Sequence, residues 1–230
     1  MKIAIFGSGM VGRTLAAKLV ELDHDVMIGT RDIAKTLSRD EAGAFNSPPF
    51  KKWIKKFPKV KLGEFSEAAQ HGAFLINATS GEWSLSALKK AGKKNMRGKV
   101  LMDISNPLDF SKGLPPTLFV CNTDSLGEKI QREFPSVKVV KALNTVTASL
   151  MVNPSLVPGD HNLFIGGNDD AAKAEVIALL KSFGWEERLI VDLGDISSAR
   201  STEQLLPIWL RLWGKLEHPI FNFNVVVGRP

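Results

Sequence analysis

Short apolar runs alternate along the chain with segments whose apolar residues recur every three or four positions. The runs predict strands and the segments between them predict helices. The predicted strands are 2–6, 25–29, 73–78, 100–104 and 137–142, followed by 162–167 and 189–194. The predicted helices are 10–22, 64–71, 84–92 and 124–134, followed by 169–183 and 197–216. This alternation is typical of an α/β protein with a doubly wound parallel sheet.

The final third of the chain departs from this rhythm. Its last predicted helix carries an apolar face formed by Leu205, Trp209, Leu212 and Leu216. Pro207 is expected to kink or restart that helix. No repeat, low-complexity stretch or flexible linker precedes it. We therefore predict one domain over residues 1–146 and a small, mostly helical α/β domain over 147–230 that packs tightly on the first.

The first predicted strand leads directly into Gly7, Gly9 and Gly12, which have the spacing G-x-G-x-x-G. A strand, these glycines and a helix in succession are typical of a dinucleotide-binding turn. The first glycine permits the tight bend, the second lets the backbone approach a pyrophosphate, and the third lets the helix pack on the strand. The alternative interpretation is an ordinary structural turn.

The end of the second predicted strand indicates which dinucleotide is bound. NAD-binding proteins place Asp or Glu there, about 20 residues after the glycines, to hold the ribose 2′-hydroxyl. This chain has Thr30 and Arg31 instead, and Lys35 follows one helical turn later. These cations suit a 2′-phosphate, whereas Asp32 is interpreted as a solvent-facing charge at a helix N-terminus. The pattern favours NADP(H) over NAD(H).

Small polar clusters follow three other predicted strands. Residues 79–82 are Thr-Ser-Gly-Glu, residues 105–107 are Ser-Asn-Pro, and residues 143–145 are Leu-Asn-Thr. Ligands of open α/β sheets bind beyond the carboxyl ends of the strands. These loops are therefore predicted to line the site.

Residues 40–61 interrupt the alternation and form the most basic segment of the chain. Pro48 and Pro49 exclude a continuous helix or a central strand. The apolar residues at helical spacing that could anchor the segment are Phe50, Trp53, Ile54 and Phe57. Two interpretations stay open: a solvated amphipathic insertion, or a lid or patch that attracts an anionic substrate.

The composition limits the compartment and the partners. No apolar run approaches the roughly 20 residues that cross a bilayer, and the N-terminus lacks the separate basic and apolar regions of a signal peptide. Cys121, the one cysteine, excludes an intramolecular disulfide. We expect a cytoplasmic protein without a membrane partner, in which Cys121 is a small buried side chain.

The net charge of +6 leaves nucleic acid open as a partner. The basic residues, however, are not gathered in an arm or interleaved with aromatic residues. A basic surface suits an acidic small molecule equally well. An anionic small-molecule substrate, and no nucleic acid, is therefore expected.

The residue types exclude several kinds of catalysis. The chain has no tyrosine, so carbonyl reduction in which a tyrosine protonates the substrate is excluded. Its four histidines share no spacing that builds a metal site. The composition leaves a Ser-His-Asp triad open, but a G-x-S-x-G nucleophile motif is absent. What remains is a nicotinamide site without an obvious acid or base. Such a site suits a partner that is itself a hydride carrier, because hydride transfer between two carbons needs only stacked faces and exclusion of water. We expect no catalytic acid or base and no metal.

A series of motifs runs in order nearly from one end of the chain to the other. They are GSGMVG at 7–12, GTR at 29–31, NATSG at 77–81, DISNPLDF at 103–110, NTDSLGEKIQ at 122–131, VVKALNTV at 139–146, DLGDISSAR at 192–200 and LPIWLRLWG at 206–214. Together they resemble the coenzyme F420-dependent NADP oxidoreductases. The resemblance implies a Rossmann domain with a small C-terminal domain, a homodimer, and hydride exchange between NADP(H) and this deazaflavin.

The resemblance also implies roles for individual residues. Ser8, Met10 and Val11 would line the pyrophosphate turn, and Thr30, Arg31 and Lys35 would hold the 2′-phosphate. The residues that would surround the nicotinamide end are Thr79, Ser80, Asn106, Pro107 and Asn144, and Ala78 is included among the cofactor-binding residues.

The chain also resembles the NADPH-binding domain of the STEAP metalloreductases. A flavin or flavin-bound ferric ion is therefore an alternative acceptor. An alternative of another class is a non-catalytic protein that senses NADPH, because such a protein needs no acid or base either.

Overall fold

The structure, a computed structural model, describes residues 1–39 and 48–228. Its strands are β1 (Lys2–Phe6), β2 (Asp25–Thr30), β3 (Lys61–Glu64), β4 (Phe74–Asn77), β5 (Val100–Asp103), β6 (Leu108–Asp109), β7 (Thr117–Leu118), β8 (Lys138–Ala142), β9 (Leu163–Gly167) and β10 (Ile190–Asp192). An eight-stranded sheet has the order β3-β2-β1-β4-β5-β8-β9-β10, and β6 and β7 form a separate antiparallel pair.

The sheet is doubly wound, as predicted. From β3 to β8 in this order the neighbouring strands are parallel, whereas β9 is antiparallel to β8, and β10 is parallel to β9. The chain continues from β1 to β2 and β3 on one side and returns to β4 on the other. The strand order therefore reverses at β1 and β4, and ligands of such sheets bind beyond the carboxyl ends of the strands at this reversal.

The helices are α1 (Met10–Glu21), α2 (Ile33–Ser38), α3 (Phe50–Lys56), α4 (Phe65–His71), α5 (Gly81–Ala91), α6 (Lys93–Met96), α7 (Leu126–Glu133), α8 (Ala148–Val152), α9 (Asp170–Ser182), α10 (Ala199–Gln204) and α11 (Leu206–Leu216). The predicted helix over 197–216 is divided into α10 and α11. Pro207 lies in the first turn of α11, where its missing N–H costs no helical hydrogen bond. Among the helices of the described residues, none is long and apolar enough to cross a membrane.

Both faces of the sheet are covered by helices. Successive side chains of a strand point to opposite faces, so Ile3 and Ile5 of β1 join one core cluster while Ala4 and Phe6 join another. The first cluster includes side chains of α1, α3, α8 and α9. The second includes side chains of α4, α5 and α7. The sheet therefore lies between two helical layers, and its carboxyl edge is left to the loops.

Residues 50–56 of the basic segment form α3, and Lys61 at its end begins β3. Phe50 and Trp53 are buried in the core, and Ile54 and Phe57 pack against it. The lysines of α3 are exposed, so this helix is amphipathic, as the spacing predicted. Residues 40–47, the remainder of that segment up to Pro48, lie outside the described residues.

The C-terminal part of the chain is joined to the same sheet through β9 and β10. It also contacts α7, because the Arg200 guanidinium binds both carboxylate oxygens of Glu128. Hydrogen bonding to Arg200 outweighs partial burial and holds the pKa of Glu128 below its ordinary value. The domain boundary between residues 146 and 147 stays a prediction.

Candidate functional site

The glycine turn after β1 shows which of its glycines the fold requires. Gly7 has a backbone φ of +120°, and a Cβ there would lie 2.5 Å from the Ala78 carbonyl oxygen. A Cβ on Gly12 would overlap the carbonyl oxygen of Gly7. Gly9 differs, because nothing among the described residues lies within 4 Å of the Cβ it lacks. The fold therefore requires Gly7 and Gly12, whereas Gly9 leaves an open surface at the start of α1.

The partial positive charge at the N-terminus of α1 is not neutralised by a described side chain. Gly9 is the N-cap residue, and the described residues provide neither a side-chain cap nor an acidic group in the first turn. The first N–H groups of a helix have no partner within it, and the helix dipole adds a partial positive charge. Met10 and Val11 lie in this turn and Ser8 just before it, all half-buried. The turn can donate hydrogen bonds to an anion.

The loops after β1, β4, β5 and β8 are in contact along the carboxyl edge. Gly7 packs against Ala78, and Gly81 lies so close to Asn106 that a Cβ there would overlap the Asn106 carbonyl oxygen. Asn106 donates through Nδ2 to the Asn144 carbonyl oxygen at 2.8 Å and accepts at Oδ1 from Asn144 Nδ2 at 3.0 Å. These predicted residues are therefore brought together along one edge of the sheet.

A buried hydrogen-bonded cluster supports the loop after β4. The Thr79 hydroxyl donates to Asn77 Oδ1 at 2.7 Å and lies 2.7 Å from Ser84 Oγ. Asn77 in turn donates to Asp103 Oδ1 at 2.8 Å. The Thr79 hydroxyl is thus engaged within the protein, while Ser80 is exposed as the N-cap residue of α5.

Lys141 lies at the centre of a buried charge cluster. Its Nζ is 2.8 Å from Asp103 Oδ2 and 2.8 Å from Glu203 Oε1, and it donates to the Ser105 carbonyl oxygen. The three charged side chains are at most 1% exposed. Burial lowers the pKa of Lys141, but the two carboxylates outweigh burial and raise the pKa above its ordinary value. The charged ammonium therefore holds the loop after β5 in place.

Asn144 carries a buried acceptor without a partner. The residue is 4% exposed, and its Oδ1 makes no hydrogen bond with the described residues. The orientation of the Asn144 amide is fixed by Asn106. Asn106 Nδ2 donates to a carbonyl oxygen, so Asn106 Oδ1 must accept from Asn144 Nδ2, which leaves Asn144 Oδ1 as the atom without a partner. Leu143 just before it has a φ of +61°, which is rare for leucine. A strained backbone beside an unpaired buried acceptor indicates a functional position.

The end of β2 lies beside the glycine turn, because the Gly7 N–H donates to the Gly29 carbonyl oxygen at 3.0 Å. Thr30 is buried, and its hydroxyl oxygen lies 2.7 Å from that of Thr36. Arg31 is exposed, with its guanidinium carbon 4.9 Å from the centroid of the Trp83 ring. Of these residues, Arg31 is the one placed to meet a ligand.

Asp32 and Lys35 lie at the start of α2. The Asp32 carboxylate caps this helix by accepting from the Lys35 backbone N–H at 2.8 Å, and it is exposed. The prediction for Asp32 is therefore confirmed. The Lys35 side chain is exposed on α2, and its role at a 2′-phosphate stays a prediction.

The prediction for Cys121 is wrong, because the thiol is exposed. Cys121 follows β7, whose pairing with β6 lies outside the eight-stranded sheet. Its apolar neighbour Phe119 is itself 41% exposed, so the local run of apolar residues does not indicate burial. The Phe119 N–H donates to the Pro107 carbonyl oxygen at 2.9 Å, which joins the β6–β7 pair to the loop after β5.

Sequence reasoning missed Trp83 and Lys141. A tryptophan in the first turn of a helix that follows a strand-end loop is a signal that could have identified Trp83. Lys141 lies within an apolar strand and offered no such signal, because its partners are distant in sequence. In the part of the chain that the structure describes, no group of three or more His, Cys, Asp and Glu residues could hold a metal ion.

The comparisons with known proteins agree with this architecture. Residues 2–107 match the family model described as NADP oxidoreductase, coenzyme F420-dependent. A crystal structure from Arthrobacter sp. FB24, provisionally described as an F420-dependent NADP reductase, is 54% identical and has a TM-score of 0.94. The alignment covers 99% of this chain and 100% of that one. The chain belongs to this family of NADP oxidoreductases.

Two further relatives show how far the family likeness extends. The F420-dependent NADP reductase of Methanothermobacter marburgensis is 26% identical over 216 residues, which is 92% of each chain. The metalloreductase STEAP3 of Rattus norvegicus is 28% identical over 213 residues, 90% of this chain but 38% of STEAP3. This member of the family thus spans less than half the length of the metalloreductases it matches.

Proposed function

We propose that the chain transfers hydride between NADP(H) and coenzyme F420 at the carboxyl edge of its sheet. The observation that carries this proposal is the continuous contact from the glycine turn through the loops after β4 and β5 to Asn144. This edge offers donors for phosphate at one end and amide groups at the other. The similarity to the F420-dependent reductase of M. marburgensis over nearly the whole of both chains supports a deazaflavin acceptor.

The glycine turn fits the pyrophosphate of the dinucleotide. A purely structural turn would need Gly7 and Gly12, but Gly9 occupies a position where a side chain would meet no described atom. An open position beside N–H donors suits a bound diphosphate. We assign to the pyrophosphate Gly7, Ser8, Gly9, Met10, Val11 and Gly12. We assign Arg31 to the 2′-phosphate, with Thr30 and Lys35 as its predicted neighbours.

Asn144 fits the nicotinamide carboxamide. Leaving a buried acceptor unpaired costs about 1–3 kcal/mol, and Asn144 Oδ1 is such an acceptor. The carboxamide NH₂ of a nicotinamide would satisfy it. The other residues that we assign to this end are Ala78, Thr79, Ser80, Asn106 and Pro107.

Hydride transfer at this edge needs no protein acid or base. Bound NADP(H) supplies the hydride chemistry, and the chain supplies position. Asn144 would orient the nicotinamide, and Lys141 would hold the Ser105 loop against it through the carbonyl hydrogen bond. The hydride leaves its negative charge on a deazaflavin ring nitrogen, which can take its proton from solvent. Holding the two reactants at near-attack distance therefore accounts for catalysis without proton transfer by a protein group.

We further propose that the protein is a cytoplasmic homodimer. Ile208 and Leu216 of α11 are 52% and 44% exposed, and the indole N–H of Trp209 is buried without a partner among the described residues. A helix with exposed apolar side chains suits an interface with a second copy.

NADPH oxidation with a panel of acceptors tests the function. The panel contains coenzyme F420, FMN, riboflavin, ferric-EDTA and a quinone. We expect repeated turnover with F420 and only background oxidation with the others. Turnover confined to flavin or ferric ion would instead support the second candidate, an NADPH-dependent flavin or ferric reductase, which the similarity to STEAP3 favours. Tight NADPH binding without turnover with any acceptor would support a non-catalytic NADPH sensor.

A further inference from the structure

Helix α3 carries four lysines on its solvent-facing surface. They are Lys51, Lys52, Lys55 and Lys56, and all four are exposed. None of them forms an ion pair with the residues that the structure describes. The other side of the helix, with Phe50 and Trp53, is buried in the core. These four lysines, which we call the lysine face, are therefore a concentrated positive charge without a carboxylate partner in the described part of the chain.

The lysine face does not contribute to the stability of α3. Lys51 and Lys55 are four residues apart, as are Lys52 and Lys56, so each pair lies side by side on the helix surface. Like charges at this spacing destabilise a helix, and α3 contains no acidic residue that could offset them. The buried aromatic side chains anchor the helix without any of these charges. A ligand with several negative charges would relieve the repulsion between the lysines.

Helix α3 begins beside the glycine turn. Arg13 of α1 donates through Nε to the Gly9 carbonyl oxygen at 3.3 Å and through Nη1 to the Pro48 carbonyl oxygen at 2.5 Å. Beyond the other end of α3, Lys59 lies 3.6 Å from Asp23, which just precedes β2. The helix therefore runs from the carboxyl edge of the sheet, where the dinucleotide is proposed to bind, toward the amino edge.

A groove of about 370 Å³ lies between the glycine turn and α3. The residues that line it include Met10 of the turn, Lys18 of α1, and Pro48 and Trp53 at α3. Because Met10 lies at one end of α1 and Trp53 belongs to α3, the groove connects the proposed pyrophosphate position with the helix that carries the lysine face. A ligand at the carboxyl edge can therefore extend along this side of the protein.

We propose that the lysine face binds the oligoglutamate side chain of coenzyme F420 while the deazaflavin ring meets the nicotinamide at the carboxyl edge. The inference rests on the proposed function, because it presupposes this acceptor. In F420 a phosphate and then a chain of glutamates follow the ring. Lys51 and Lys56 are separated by about 7.5 Å along the helix axis. Cations spread over this length complement successive carboxylates better than a single phosphate, which is best held by donors that converge on one point.

Steady-state kinetics at saturating NADPH test the inference with three acceptors. They are F420, its glutamate-free form, which keeps the phosphate, and the deazaflavin with its ribityl chain alone. Lys51→Gln/Lys52→Gln should raise the KM for F420 roughly three- to tenfold, the scale of two exposed ion pairs. The KM values of the other two acceptors should stay within about twofold, and kcat should be unchanged, because the lysines do not touch the ring. Lys55→Gln/Lys56→Gln should raise the KM for F420 less, because these lysines lie farther from the carboxyl edge.

The matched control is Lys94→Gln/Arg97→Gln, which removes the same charge from exposed positions shortly before β5, at the amino edge. This control should leave the KM for F420 close to that of wild type. Added salt should raise the wild-type KM for F420 but not for the deazaflavin alone, because exposed charges are screened. Thermal unfolding should show the lysine variants to be at least as stable as wild type, because repulsion within α3 is removed.

The outcomes separate this inference from the function beneath it. Wild-type protein that reduces none of the three acceptors would overturn the proposed function, and this inference with it. Wild-type protein that reduces F420 with a KM unaffected by Lys51→Gln/Lys52→Gln would overturn the lysine face alone. An equal rise in KM for F420 and its glutamate-free form would assign the lysines to the phosphate and overturn the role of the glutamates. An equal rise in the control would show an effect of net charge only and overturn the inference.

Discussion

Lys141→Met is expected to lower the free energy of unfolding by about 3–5 kcal/mol, the usual cost of removing one partner from a buried ion pair. The variant leaves Asp103 and Glu203, each at most 1% exposed, without their shared cation. Their remaining hydrogen bonds, from Asn77 and Ser105 to Asp103 and from the start of α7 to Glu203, do not compensate two buried charges. Denaturant unfolding of wild type and variant measures the difference.

Lys61→Met is the matched control for this prediction. Lys61 lies 2.7 Å from Asp25, a comparable distance, but the two side chains are 51% and 38% exposed. Exposed pairs contribute at most about 1 kcal/mol, so this variant should remain close to wild type. Replacing Lys141, Asp103 and Glu203 together by Met, Asn and Gln should recover part of the stability, because no unpaired charge remains. A loss for Lys141→Met no larger than that of the control would contradict the charge cluster described here.

Gly9→Ala is expected to weaken NADPH binding with little loss of stability, whereas Gly12→Ala is expected to lower both. Gly9 has φ −74° and ψ −173°, which alanine adopts, and its Cβ would meet no described atom within 4 Å. The substitution should therefore cost at most about 1 kcal/mol, the penalty of alanine at an N-cap. Affinity for NADPH should fall more than about tenfold, or 1.4 kcal/mol, because the new methyl group occupies the path of the pyrophosphate.

Gly12→Ala should instead damage the fold. Its Cβ would overlap the Gly7 carbonyl oxygen, so α1 must move away from β1. We expect a loss of about 3 kcal/mol, at the upper end for overpacking, together with loss of NADPH binding. Thermal unfolding and NADPH titration of both variants check this pair. Unchanged NADPH affinity in Gly9→Ala would mean that the turn is structural.

Seven of the strands and the central helices of this fold were predictable because they depend on local periods, whereas the short strands β3, β6 and β7 were not predicted. Ile3 and Ile5 against Ala4 and Phe6 set the two faces of β1, and the spacing of Leu15 and Leu19 marks α1. Pro207 likewise indicated the start of α11. The exposure of Cys121 was not predictable, because it depends on β6 and β7 lying outside the main sheet.

The parts of the candidate site that depend on sequence position alone were predictable. Arg31 follows β2 directly, and the polar loops follow β4, β5 and β8, so the topology alone brings them to one edge. The contribution of Trp83 was not predictable, because α5 brings its ring beside Arg31 at the end of β2 only through packing across the edge. Lys141 could not be assigned for the same reason, since Asp103 and Glu203 meet it only in the folded chain.

Transfer of deuterium from NADPH to coenzyme F420 is the most direct test of the central claim, which is hydride transfer by positioning alone. NADPH labelled at one or the other prochiral position of the nicotinamide C4 is incubated with the protein and F420 in ordinary water. We predict that one of the two labels is transferred without loss to the deazaflavin ring carbon, because no protein group takes up the hydrogen between donor and acceptor. The contradicting result is that neither labelled NADPH passes its deuterium to that carbon and the new hydrogen there comes from solvent in both incubations. That result would rule out direct transfer and require an acid or base at this edge.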